Sequence, residues 1–449
     1  MSHGASAAAG LYAPGMPAAA TSRVSTALLT DQYEFTMLEA ALADGSADRP
    51  CVFEVFARRL PHGRRYGVVA GTARLLDALA DFRFDDGTLA RLEPFLARRT
   101  VEYLASWRFD GHIDGYREGE LYFPGSPVLS VRGSFASAVV LETLALSILN
   151  HDCAIASAAA RMASAAGDRP LIEMGSRRTH EEAAVAAARA AYLAGFTSTS
   201  NLEAGRRYGI PTGGTAAHAF TLLHDTEADA FRAQIAALGT GTTLLVDTYD
   251  ITQGIRTAIE VAGTALGAIR IDSGDLGPLA RAAREELDGL GASATRIVLS
   301  GDLDEYAIAA LRAEPVDMYG VGTSLVTGSG APTAGMVYKL VEVDGRPVAK
   351  RSENKASHGG AKSALRRYRA SGTATEEVVY LQAQGPDRRE ETDVELAVPL
   401  VRDGAVLPGL PNLEQSRQHL RRALVSLPWE GLGLSQGDPA IPTVMPPVR

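Results

Sequence analysis

The chain is short of the residues that most readily declare a function. It has two cysteines, Cys51 and Cys153, which form no metal-type cluster and fit a reducing compartment. There is no CxxC and no HExxH, which argues against zinc chemistry. No GxxxxGK[ST] occurs, which argues against a P-loop nucleotidase. No apolar run approaches the ~18–20 residues of a membrane span. Excess positive charge is also missing: the net charge is −9, which gives no reason to expect a nucleic-acid surface. The first 22 residues are rich in Ala, Gly, Ser and Pro, and the first basic residue is Arg23. They lack the basic start and sustained apolar run of a secretory signal, so a disordered tail and a cytoplasmic protein are expected.

Lysine is the scarcest of the charged residues. Of 44 basic residues only Lys339, Lys350, Lys355 and Lys362 are lysines, all within 24 positions. A genome biased towards arginine codons would explain the scarcity. A segment that needs compact ammonium groups would explain the clustering. No lysine precedes Lys339, which argues strongly against Schiff-base chemistry at a barrel mouth.

What is present is ordinary in amount and informative in order. The 449 residues, 46% apolar and 22% charged, suffice for two or three domains. From Leu171 to Val326 short apolar strands alternate with amphipathic helices, which predicts parallel pairing with right-handed crossovers. "LIEMGSRRT" is the first strand and tip. The next helix is expected to start at Thr179, with Glu182 completing a capping box, and to stop near Gly195. "FTSTSN", "IPTGGT", "TTLLVDTYD", "GAIRIDSGD", "TRIVLSGDL" and "DMYGVGTSL" follow as strands with polar tips. Six or seven such units in ~155 residues suit a compact α/β barrel, with an open doubly wound sheet as the alternative. On both flanks "PCVFEVFARRL", "HIDGYREGELYF", "SPVLSVRGSF", "EVVYLQAQ" and "DVELAVPLVRDG" alternate with strand period, and "GTARLLDALADF" is helical. The expected organisation is a tail (1–22), an α+β flanking domain (23–130), an α/β barrel (131–344), a return to the flanking domain with a basic loop (345–435) and a loose Pro-rich end (436–449).

Function in such sheets collects at the carboxyl ends of strands. Those tips carry Glu173, Arg177, Ser200, Asn201, Thr215, His218, Asp247, Asp250, Arg270, Asp272, Asp275, Ser300, Asp302 and Thr323. Each alone could be a helix cap or turn former. Together they outnumber what a structural barrel needs. "SGD" (300–302) and "GVGTS" (320–324) are candidate anion sites, and "KASHGGAK" (355–362) is a Gly-rich basic loop that could cover a polyphosphate.

These motifs resemble nicotinate phosphoribosyltransferase of the bacterial type. The markers are "LLTDQYEFTM", "ILNHDCAIASAAARM", "EMGSRRTH", "TSNLEAGRRYGIPTGGTAAHAF", "VDTYD", "RIDSGDL" and "GVGTSLVTG", in the family's order. The resemblance implies an irregular α/β barrel beside an α+β sandwich. It implies a dimer with a shared active site, and formation of nicotinate mononucleotide and pyrophosphate coupled to ATP hydrolysis. By the same resemblance His218 is the residue phosphorylated by ATP, with Asp247 or Asp250 left open as the acid that orients its ring. Arg270 contacts the nicotinate carboxylate or transition state, with Thr215 nearby and Arg177 as a further site arginine. Tyr33 stacks on the pyridine from the neighbouring subunit. Ser300, Gly301, Gly322, Thr323, Lys355 and Lys362 face phosphoribosyl pyrophosphate, and Asp272 and Asp302 are the candidate Mg²⁺ ligands. Ribose hydroxyls are the alternative partner for Asp272.

Ser200 bears on substrate choice. Nicotinamide-using relatives carry an aspartate there, which accepts the amide N–H₂ and repels a carboxylate; serine does neither, so nicotinate is expected. A nicotinamide- or quinolinate-type phosphoribosyltransferase, the latter smaller and more basic, and a non-catalytic nucleotide-binding barrel are the alternatives. "SHGGAK" departs from the family, which usually has proline before its glycine.

Overall fold

The computed structural model describes residues 24–350 and 358–447. The expected N-terminal tail and Lys355 lie outside the described residues.

Six parallel strands build the centre: β1 (Leu171–Glu173), β2 (Ser198–Thr199), β3 (Thr243–Leu245), β4 (Ala268–Ile271), β5 (Arg296–Leu299) and β6 (Met318–Val321). They lie in the order β2-β1-β6-β5-β4-β3, every neighbouring pair parallel. Leu244, Ile269, Ile271, Ile297, Leu299, Tyr319 and Val321 are buried, as expected for parallel strands covered on both faces. Helix Ile251–Ala262 shows how the outer layer is held. Ile255, Ala258 and Ile259 face inward at helical spacing, while Arg256 and Glu260 point to water. Gly254 lets this helix lie against the sheet, because a Cβ there would stand 2.4 Å from the Val246 carbonyl.

The sheet is curled and open between β2 and β3. The segment 209–217 spans that opening. It starts beside β2, where Thr199 donates to the Pro211 carbonyl (3.0 Å) and Gly213 to the Thr199 carbonyl (3.0 Å). It ends at His218, beside the residues that follow β3. "IPTGGT", expected as a strand, therefore makes a single bridge at Thr212. The glycines after it leave no side chains to pack on a pleated surface.

The flanking region is discontinuous in sequence. Its seven-stranded antiparallel sheet runs Arg346–Pro347, Met336–Val343, Pro50–Ala57, Leu129–Ser134, His112–Tyr116, Ala397–Arg402, Ala405–Val406. A four-stranded sheet of Val394–Glu395, Lys362–Tyr368, Ala374–Leu381 and Thr443–Val444 is tied to it by buried polar contacts. Tyr116 donates to Glu377 (2.9 Å), and Arg366 joins Glu120 to Glu377.

Helix Glu142–Ala166 belongs to both halves. Leu144, Ile148, Leu149 and Cys153 pack in the flanking core. Ile155, Ala156, Ala159, Ala160 and Met162 pack in the barrel core. The span Phe135–Ala166 is long and apolar enough to cross a membrane by composition, a property the sequence reading did not expect, but 67% of its most apolar window is buried inside the protein. Asp152 and Arg161 pin it through Arg74 (2.7 Å) and Glu305 (3.0 Å).

Two other elements differ from the sequence reading. The helix expected from Thr179 covers Glu181–Leu193, and the His180 ring, not Thr179, accepts from the Glu182 N–H (3.3 Å). Part of the end expected to be loose is anchored: Ile441 is buried and Thr443–Val444 pair in parallel with Glu377–Val378. The two-residue strand sits among prolines and shows no periodicity of its own.

Candidate active site

The carboxyl ends of β1, β2, β4, β5 and β6 and the spanning segment enclose a cleft of about 470 Å³. Arg177, Ser200, Thr215, Arg270, Asp272, Ser300, Gly301, Asp302, Gly322 and Thr323 all line it. One concave wall thus gathers residues spread over nearly 150 positions. Met174, Ser176 and Arg178 join them. Arg178 was passed over because its neighbour Arg177 carried the motif's arginine role, yet both side chains of the pair reach the cleft.

Gly301 makes part of this convergence possible. Its φ is +107°, and a Cβ would stand 2.2 Å from the Asp272 carbonyl. The tips of β4 and β5 therefore touch, and the Ser300 hydroxyl donates to the Asp272 carboxylate. Arg270 lies beside them, its side chain 13% exposed. One guanidinium nitrogen reaches the Ala216 carbonyl at 3.5 Å, another stands 3.8 Å from Asp272, and Nε has no hydrogen-bond partner among the described residues. A buried guanidinium with unused donors suits a planar carboxylate.

His218 opens the short helix His218–Leu222 at the end of the spanning segment, and its side chain is 41% exposed. Nδ1 lies 3.1 Å from the Thr248 hydroxyl, and Nε2 lies 3.9 Å from Asp247 Oδ1. The Asp247 side chain is 1% exposed. Its Oδ2 accepts from the Asp272 N–H (2.8 Å) and the Ser273 hydroxyl (2.9 Å), which fixes the carboxylate and aims Oδ1 towards the ring. Asp250 is committed elsewhere: it caps helix Ile251–Ala262 by accepting from the Gln253 N–H (2.8 Å). Of the two acids left open by the sequence, Asp247 is the one that stands by the ring.

Several tip residues support the wall rather than form it. Glu173 is buried, and burial pushes its carboxyl up from the usual range. It accepts from Gly175 N–H and Thr199 Oγ1, joining the turn that carries Arg177 to the tip that carries Ser200. Asn201 caps helix Leu202–Tyr208 and donates to Ser176 (2.9 Å). Asp275 occupies the N-cap position of helix Leu276–Gly289 without a capping bond.

Lys362, expected at the phosphate, is not at the cleft. Its side chain is 3% exposed, its Nζ stands 2.9 Å from Glu54 Oε2, and it donates to the His358 and Gly360 carbonyls (2.8 Å each). A compact ammonium satisfies three oxygens at once here, a task a planar guanidinium does poorly. Tyr33 also lies outside its own chain's cleft, 45% exposed on helix Gln32–Asp44. Burial and the neighbouring Glu142 and Glu34 push its phenol up to about 12, so it stays neutral.

Among the described residues no group of three or more His, Cys, Asp or Glu is arranged to hold a metal ion. Asp272 and Asp302 nonetheless share the cleft wall. That fits Mg²⁺, which usually takes one or two carboxylates and completes its shell with substrate phosphates and water.

A family model, the nicotinate phosphoribosyltransferase (NAPRTase) N-terminal domain, matches residues 28–150. A nicotinate phosphoribosyltransferase (pncB1) of Mycobacterium tuberculosis is 68% identical over 424 residues, covering 93% of this chain and 94% of that one. A nicotinate phosphoribosyltransferase of Bacillus subtilis is 39% identical over 337 residues, covering 72% and 69%. The crystal structure of human nicotinic acid phosphoribosyltransferase superposes with a TM-score of 0.79 at 26% identity, covering 93% of this chain and 97% of that one.

Proposed function

The chain belongs to the nicotinate phosphoribosyltransferase family, and from that premise we propose that it joins nicotinate to phosphoribosyl pyrophosphate, with ATP hydrolysis coupled through a phosphohistidine at His218. The products are nicotinate mononucleotide and pyrophosphate, and the reaction feeds pyridine nucleotide biosynthesis by salvage. The observation that supports this most is the single cleft in which Arg270, Ser200, Ser300 and Thr323 converge while His218 stands at the end of the segment that closes it.

In the transfer the pyridine nitrogen bonds to the ribose C1 as the C1–oxygen bond to pyrophosphate breaks. Arg270 and Arg177 bind the nicotinate carboxylate, which leaves the ring nitrogen facing the sugar. Ser200 fits beside the carboxylate without repelling it. The backbone at Gly301 and Gly322–Thr323 and the Thr323 hydroxyl take the phosphate end, with Ser300 lining the cleft beside them. Mg²⁺, held by Asp272 and Asp302, would offset pyrophosphate charge. Tyr33, outside its own cleft, would stack on nicotinate in the cleft of the second subunit of a homodimer.

In the ATP half-reaction an imidazole nitrogen of His218 attacks the γ-phosphorus, the bond to the ADP oxygen breaks, and ADP leaves. Asp247 holds the ring and stabilises its positive charge. The test follows nicotinate mononucleotide and phosphate together, with and without ATP, and traps the protein after γ-labelled ATP. Acid-labile label on His218 is expected. Its absence would overturn the coupling, while absence of the mononucleotide would overturn the transfer.

A further inference from the structure

A carboxyl that neither half-reaction uses opens a helix packed against the helix that begins at His218 and the helix capped by Asp250. Glu227 opens helix Glu227–Leu238. It takes no part in capping: the Thr226 hydroxyl accepts from the Asp229 N–H (3.1 Å) and donates to the Asp229 carboxylate (2.6 Å). Its Oε1 is buried and has no hydrogen-bond partner among the described residues. Asp247 Oδ1 is a second buried carboxylate oxygen in that condition.

Among the described residues, the arginines on the elements packed around it are paired with other acids. Helix Glu227–Leu238 packs against helix His218–Leu222 and helix Ile251–Ala262. From the first come His218 and, just after it, His224, whose Nδ1 is 2.8 Å from the Phe220 carbonyl. From the second come Asp250 at the cap and Arg256, which is paired with Glu286 (2.7 Å). On its own helix Arg232 is paired with Asp229 (2.6 Å). The charges that act on Glu227 are those of Asp247 and Asp250. A glutamate in the first turn of a helix should ionise more readily than usual, because the helix dipole favours the anion. Here the opposite holds: burial, then Asp247 and Asp250, push the carboxyl up to about 6. Crowding by like charge outweighs the dipole.

We propose that Glu227 is a positioning residue of the phosphoryl-acceptor site, acting through Asp247 and taking up one proton as a phosphoryl group reaches His218. This rests on the phosphohistidine reading above. A phosphoryl group on the ring adds negative charge beside two carboxylates that already oppose each other. A proton moving from solvent to Glu227 removes one of those charges and leaves Asp247 ionised to hold the ring. The sign follows from linkage: the phosphorylated state binds this proton more tightly, so phosphorylation is favoured below about pH 6 and loses ground as pH rises.

The experiment measures steady-state acid-labile label from γ-labelled ATP between about pH 6 and about 8, where one linked proton can change occupancy by up to ~10-fold per pH unit. Wild-type label should fall at least ~3-fold across that range. Glu227→Gln, which keeps the shape and mimics the protonated acid, should retain label at the high end and flatten the profile. Glu227→Asp keeps the charge and should keep the slope. His218 is present in all three proteins, so its own titration cancels in the comparison. A Glu227→Gln profile that superposes on wild type overturns the role of Glu227 alone. Absence of label from wild type overturns the phosphohistidine reading and this proposal together. Thermal melts of all three separate a folding defect from a change of slope. Should Glu227→Gln not fold, Glu227→Asp decides, since a wild-type profile without slope or an Asp profile without slope also overturns the proposal.

Discussion

Asp247 Oδ1 stands 3.9 Å from His218 Nε2, while Oδ2 is bound to the Asp272 backbone N–H. One carboxylate therefore connects the His218 imidazole to the strand tip that carries Asp272. Asp247→Asn keeps the shape but removes the charge that stabilises the ring. ATP stimulation of nicotinate mononucleotide formation should fall on the order of 100-fold. The ATP-independent rate should change far less. Initial rates with and without ATP check this, and an equal loss in both would place Asp247 in the transfer step instead.

Ser200 lines the cleft beside Arg177 and Arg178. Ser200→Asp should lower kcat/KM for nicotinate and raise it for nicotinamide. A charged hydrogen bond gained on one side and a repulsion added on the other amount to roughly 1.5–3 kcal/mol each, so the ratio should move by at least ~10-fold. Competition between the two substrates at equal concentration measures it, and an unchanged product ratio counts against the assignment.

Lys362→Met separates a structural lysine from a phosphate-binding one. Removing one partner of a buried ion pair costs about 3–5 kcal/mol. The urea midpoint should fall accordingly, while KM for phosphoribosyl pyrophosphate stays within about twofold in the folded fraction. The double variant Glu54→Leu/Lys362→Met should recover much of the stability, because no orphaned charge remains. A large rise in KM without loss of stability would return Lys362 to the cleft.

Glu120 gives a stability prediction with a defined sign. Burial would raise its carboxyl, but Arg366 and His419 overcome this and hold it down to about 2. A depressed carboxyl contributes stability at neutral pH that is lost as pH falls from its unfolded value towards about 2. Acid unfolding should therefore begin below about pH 4.5. In Glu120→Gln the stability curve should be lower at neutral pH and flatter across that range, as read by chemical melts at several pH values.

Much of the barrel was legible because strands buried on both faces read as short apolar runs closed by Gly, Ser or Asp. "AIRIDSG" and "RIVLSGD" need no tertiary information to be read that way. The cleft followed, since strand tips in a parallel sheet must share one end. Lys362 was misread because its partner is an acid 308 positions earlier, and no local pattern reports such a pairing. "IPTGGT" reads as a strand because β-branched residues precede its glycines; only the gap between β2 and β3 explains its course. Glu227 was overlooked because an acid in the first turn of a helix is the commonest of features, and its crowding by Asp247 and Asp250 exists only once three helices meet.

The antiparallel sheet beside the barrel draws its strands from residues 50–134, 336–347 and 397–406. Its interior strand Pro50–Ala57 is flanked on one side by Met336–Val343, made nearly three hundred residues later. A chain emerging from the ribosome must therefore carry an open strand edge through synthesis of the entire barrel. That edge is where nascent-chain aggregation should begin, and where a chaperone would be needed until the last quarter of the polypeptide arrives.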